Sequence, residues 1–114
     1  IDETVFGRLN FTPRRIFYIS GTDPKHARGA HAHIKCTQII VRVSGKMSVE
    51  IKTPVSTRNF DLDAENSCII MPPMHWGYQY NFGPDTAYVV LANRPYIESE
   101  YIRDYDDYRK RWSE

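Results

Sequence analysis

The chain has 114 residues, of which 41% are hydrophobic, 25% charged and 13% aromatic. These are the proportions of one soluble globular domain, here spanning residues 1–114, long enough to bury a core without disulfides. Fifteen Lys and Arg against fourteen Asp and Glu leave a net charge of +1, which excludes the strong field of a nucleic-acid binder or an anionic-membrane binder. No apolar run approaches the roughly 18–20 residues of a membrane span, and no stretch reads as a signal peptide. Cys36 and Cys68 both sit in apolar, strand-like contexts. That predicts two buried thiols in a reducing, cytoplasmic setting rather than a disulfide framework.

Seven Pro and six Gly divide the sequence into short pieces filled with β-branched and aromatic residues. Arg15–Ser20 reads as a strand stopped at Gly21-Thr22-Asp23-Pro24, and Gly29–His33 as a second extended piece. Gln38–Val43 is the clearest strand; a turn at Ser44-Gly45 leads into Lys46–Ile51, which alternates with period two. Further strands are predicted at Thr57–Leu62, Ser67–Met71, Trp76–Tyr80 and Thr86–Ala92. Short strands separated by turn residues in this way predict an all-β antiparallel barrel or sandwich. Only the tail differs: Tyr101, Ile102, Tyr105, Tyr108 and Trp112 recur near helical spacing and predict one C-terminal helix.

The chemistry concentrates at His31-Ala32-His33. Residues i and i+2 of a strand share a face, so both imidazoles can converge on one pocket. Gly29-x-His31-x-His33, then Gln38 after four residues and Gly45 after six more, is similar to the first cupin motif, with Gln where metal-binding cupins carry Glu. In the downstream Pro72-Pro73-Met74-His75-Trp76-Gly77, which matches the second motif, Met74 replaces the glycine and Gly77 falls on the ligand position. A catalytic transition metal takes about three imidazole or carboxylate ligands. This pocket offers two imidazoles and a neutral amide, and His75 would face the other way, so no metal is expected. The histidines are then free for acid–base work near neutral pH.

Beyond this spacing the chain resembles the nucleotide-sugar 3,4-ketoisomerases, the WxcM-like branch of the cupins. The matching segments are Arg14–Ile19, Arg28–His33 with Gln38, Met71–Trp76, Tyr88–Ala92 and Tyr96 through Tyr101-Ile102-Arg103-Asp104-Tyr105, in the family's order. The resemblance implies a cupin jelly-roll β-barrel with a short C-terminal helix, no cofactor, and a homodimer. It implies a dTDP-sugar substrate, dTDP-4-keto-6-deoxyglucose, whose keto group moves from C4 to C3 through an enediol in deoxysugar biosynthesis. His31 and His33 would be the acid–base pair, with His33 as principal base.

Tyr18, expected on the strand next to the pair, either acts in catalysis, donating to a sugar oxygen or relaying a proton, or packs in the barrel wall. Arg28 either meets the enediolate or the pyrophosphate, or is a solvated loop charge. Arg103 carries over as a substrate-binding residue, since a guanidinium suits a diphosphate. Gln38 orients an imidazole, contacts the sugar, or bonds to backbone, and Trp76 forms a pocket wall or packs. Two other classes fit the same two-histidine strand: a metal-dependent cupin oxygenase and a non-catalytic sugar-nucleotide-binding cupin.

Overall fold

The structure, a computed structural model, describes residues 2–113. The chain opens with a short helix, α1 (Glu3–Arg8), that apolar periodicity does not signal. Asp2 caps it, its carboxylate accepting from Thr4 N at 3.0 Å and Val5 N at 3.2 Å, which satisfies two of the amides a helix start leaves free. Eight strands follow: β1 (Arg15–Ile19), β2 (Arg28–His33), β3 (Gln38–Ser44), β4 (Met47–Thr53), β5 (Ser56–Leu62), β6 (Cys68–Met71), β7 (Trp76–Tyr80) and β8 (Ala87–Ala92). A 3-10 turn at Glu98–Glu100 leads into a two-residue strand, β9 (Tyr101–Ile102), and then α2 (Tyr105–Trp112).

The strands form two antiparallel sheets, ordered β1-β8-β3-β6 and β5-β4-β7-β2-β9. They make the jelly roll expected, in its sandwich form and not as a closed barrel, because among the described residues neither sheet's edge strands pair with the other sheet. Alternation places Met47, Val49 and Ile51 of β4 inward, against Ile40, Leu62, Met71, Phe82 and Val90. At the β3–β4 turn Gly45 has φ +71°, and a Cβ there would lie 2.6 Å from Thr86 Cα. Only glycine fits that approach.

A second, smaller core lies on the outer face of the five-stranded sheet. Ala32, Trp76 and Ile102 are covered there by Tyr108 of α2, which is fully buried. The Tyr108 hydroxyl donates to Met74 O at 2.9 Å, so the phenol is both packed and satisfied. Tyr101 and Ile102 are strand rather than helix. Tyr101 pairs with His33 and Ile102 with Ala32, and this long-range pairing outweighs their helical spacing. The helix begins only after Asp104, whose side chain accepts from Asp106 N at 2.8 Å. The cysteines also differ from expectation. Cys36 is buried but lies in the β2–β3 loop, and Cys68 opens the edge strand β6 exposed to solvent. Among the described residues no helix is long and apolar enough to cross a membrane.

Candidate active site

Strand β2 enters the site through a bulge. Its register against β7 shifts between the pairs Arg28↔Gln79 and His31↔Gly77, with Gly29 in the left-handed region at φ +75°. A Cβ at Gly29 would come within 2.7 Å of Gln79 Oε1, so the bulge presses against that side chain. The bulge brings Arg28 and His31 together onto the wall of a cavity of about 320 Å³ between the two sheets. Phe17 and Ile19 of β1, Gln38 of β3, and Tyr88 and Val90 of β8 line the opposite wall.

His31 and His33 share the inner face, as period two requires. Their depths differ: His31 lines the cavity, whereas His33 is 2% exposed and lies behind it. The two Nε2 atoms are 3.0 Å apart, and the rings meet edge to face. Tyr101 packs against both, with ring centroids 5.1 Å from His31 and 4.4 Å from His33. Arg15 Nη2 donates to the Tyr101 hydroxyl at 2.8 Å, and its guanidinium also lies near the rings of Phe17 and Tyr96. Among the described residues Arg15 Nε and His33 Nδ1 are buried without a hydrogen-bond partner.

Burial holds both imidazoles unprotonated. It pushes His31 down to about 4, helped by the Arg103 and Arg15 charges. It pushes His33 to about 3, helped by His31 and the same two arginines. Two neutral rings with facing Nε2 atoms share one proton, one donating and the other accepting.

The turn after His33 is pinned by Glu100, at the end of the 3-10 turn before β9. The Glu100 carboxylate accepts from Cys36 N at 2.8 Å and from Lys35 N, and Ile34 N donates to Glu100 O at 3.0 Å. Thr37 N donates to Asn93 Oδ1 at 2.8 Å. Arg103, just past β9, stands at the cavity rim with its guanidinium 4.5 Å from the centre of the Tyr101 ring and 3.1 Å from Glu98 Oε1.

Of the residues singled out from sequence, His31, Gln38, Arg28 and Arg103 line this cavity, with His33 directly behind. Tyr18 does not. Strand β1 belongs to the sheet opposite β2, and Arg15, Phe17 and Ile19 take its inner face. Tyr18 therefore points outward, 61% exposed. Trp76 is not a pocket wall either: it lies under α2, edge-on to Tyr105 at 5.2 Å. His75 lines a separate cavity beside β4, β5 and β6. Among the described residues no three His, Cys, Asp or Glu side chains converge as a metal site would require. Sequence reasoning passed over Arg15, Gln79 and Tyr101. Strand parity could have found Arg15, which shares its face with Ile19.

Comparison with known proteins identifies the family. The model of the FdtA family (WxcM-like, C-terminal) matches residues 4–113. The TDP-4-oxo-6-deoxy-alpha-D-glucose-3,4-oxoisomerase of Aneurinibacillus thermoaerophilus is 32% identical over 102 residues, covering 90% of this chain and 73% of that protein. A 3,4-ketoisomerase from Helicobacter canadensis superposes with a TM-score of 0.89 at 29% identity, over 96% of this chain and 82% of its own. A histidine-to-asparagine mutant of the 3,4-ketoisomerase from Thermoanaerobacterium thermosaccharolyticum, in complex with TDP-4-keto-6-deoxyglucose, does so at 0.84 and 28% identity, over 89% and 73%. The chain belongs to the WxcM-like family of sugar 3,4-ketoisomerases.

Proposed function

We propose that the chain converts dTDP-4-keto-6-deoxyglucose to its 3-keto isomer through an enediol intermediate, for deoxysugar biosynthesis, with His31 and His33 as the acid–base pair. One observation carries this reading: a hydrogen-bonded, neutral imidazole pair presents one ring to a cavity that Arg28 and Arg103 also line. The reaction removes the C3 proton, forms an enediolate, and returns a proton at C4. It requires a base that is unprotonated near pH 7 and donors for the developing oxyanion.

His31, at the cavity wall, is the ring that meets the sugar; His33 is its buried partner. A proton taken by His31 on one nitrogen can leave from the shared nitrogen to His33, which spreads the charge over two rings. This exchanges the roles expected from resemblance, because depth in the sandwich decides which ring substrate reaches. Arg28 and Arg103 suit the diphosphate, whose paired oxygens match a guanidinium fork. Gln38, buried on the cavity wall, offers a neutral amide to a sugar oxygen.

Electrons move only within the sugar, so the proposed reaction needs no cofactor. We read the protein as a cytoplasmic homodimer. Its two free cysteines suit a reducing compartment, and β1 offers a free edge with Ile16 65% exposed, which suits a second copy.

The test is NMR of the product formed from dTDP-4-keto-6-deoxyglucose. The expected product carries its carbonyl at C3, made by protein stripped of metal by chelator. Unchanged substrate, or activity that returns only with added metal, would refute the reading.

A further inference from the structure

Keto migration has a second proton problem, which the histidine pair does not solve. Once C3 has lost its proton, the hydrogen on O3 must also leave and O4 must gain one. A group that does both at once needs a free lone pair and an uncommitted proton, side by side. Hydroxyls have this property, since each carries one donor and two acceptor sites.

Two of the residues that line the cavity carry a hydroxyl, Tyr88 and Tyr101. Tyr88 spends its proton on Gln79 Oε1, at 3.3 Å. Tyr18 faces solvent from the other side of its strand, and the cavity-facing position beside it is Phe17, which has no hydroxyl. Tyr101 differs from all of these. Its oxygen accepts from Arg15 Nη2 at 2.8 Å, which fills one lone pair and fixes the phenol. Its other lone pair and its proton have no partner among the described residues. The ring packs against His31 and His33, beside the base, while the hydroxyl meets Arg15 of the facing strand β1.

We propose that the Tyr101 hydroxyl, held by Arg15, carries the proton from O3 to O4 during keto migration. The bookkeeping closes. The O3 hydrogen passes to the free lone pair of Tyr101 Oη as the phenolic hydrogen passes to O4, and the phenol ends as it began. Arg15 stays cationic throughout and acts as a positioning residue through Tyr101. This assignment rests on the histidine reading above and adds a step to it.

Tyr101→Phe separates the two steps, because it keeps the ring against the histidines and removes only the hydroxyl. In D₂O, with dTDP-4-keto-6-deoxyglucose, the variant is expected to exchange the substrate's C3 hydrogen within about threefold of the wild-type rate. Its formation of 3-keto product falls by about 10²-fold or more, the usual scale for a lost proton-transfer group. Tyr18→Phe, the outward control, leaves both rates unchanged. Placing 3,5-difluorotyrosine at position 101 keeps the packing and shifts only the phenol's proton affinity. It is expected to change product formation several-fold at constant exchange.

Wild-type product formation by Tyr101→Phe, or by the fluorinated protein, would overturn the proposal. So would parallel loss of exchange and product in Tyr101→Phe, which would make the hydroxyl a support for the histidines. Failure of the histidine reading looks different: either wild-type protein shows neither exchange nor product, or His31→Asn keeps both.

Discussion

His31 Nε2 lies 3.0 Å from His33 Nε2, yet only His31 borders the cavity. The pair is thus one proton-sharing unit with an outer and an inner end. Arg15 and Arg103 add positive charge around it, so a proton on either ring is opposed by both burial and like charge.

This arrangement predicts an acid-sensitive fold. In the unfolded chain both imidazoles titrate near 6.5, whereas in the native state they titrate near 4 and 3. Between these limits the unfolded chain binds protons that the native one does not. The stability these rings contribute is therefore complete above about pH 6.5 and is lost progressively as pH falls toward 4 and below. Denaturant midpoints measured from pH 7.5 to 4.5 should fall with acidity in wild type and fall less in His33→Asn. Equal slopes in the two proteins would mean that His33 is not buried in its neutral form.

Arg103 is exposed at the rim, where its loss should affect ligand more than fold. Arg103→Ala is expected to change stability by no more than about 0.5 kcal/mol. The affinity for dTDP, measured by titration calorimetry, should drop about 10- to 100-fold, the scale of one charge-assisted contact. Arg103→Lys should recover only part of it, since an ammonium cannot make the paired contact. Unchanged affinity in Arg103→Ala would remove this residue from the diphosphate site.

Trp76 tests the second core. Its ring is 7% exposed and packs against Tyr105 and Tyr108 on the face away from the histidines. Trp76→Ala is expected to cost about 3–5 kcal/mol. The fraction that stays folded at low temperature should bind dTDP with near wild-type affinity. A stable variant with weakened binding would return Trp76 to the pocket.

Much of this architecture was legible from alternation and turns. All eight longer strands appear within two residues of their expected limits, because half-buried strands carry period two in their own sequence. The histidine pair was legible for the same reason, with residues i and i+2 sharing one face. What local pattern could not supply was partnership. Tyr101 reads as helix until His33, a distant residue, claims it as a strand partner. Tyr18 and Phe17 are equivalent by composition, and only the sheet that β1 joins decides which one faces inward. Likewise, the order of His31 and His33 in depth depends on where the two sheets enclose space. The local sequence leaves Trp76 open between cavity wall and packing, because its contact with α2, which covers it, is not written there.

The most direct measurement follows the substrate's C3 hydrogen in D₂O by NMR, using wild type, His31→Asn and His33→Asn, each first shown to bind dTDP. If the two imidazoles form a unit with His31 at the sugar, wild type exchanges C3 and makes the 3-keto product. His31→Asn then loses both by about 10³-fold, while His33→Asn loses about 10²-fold because the outer ring still touches substrate. Undiminished C3 exchange in His31→Asn would contradict the account at its centre, since some other group would then be taking the proton.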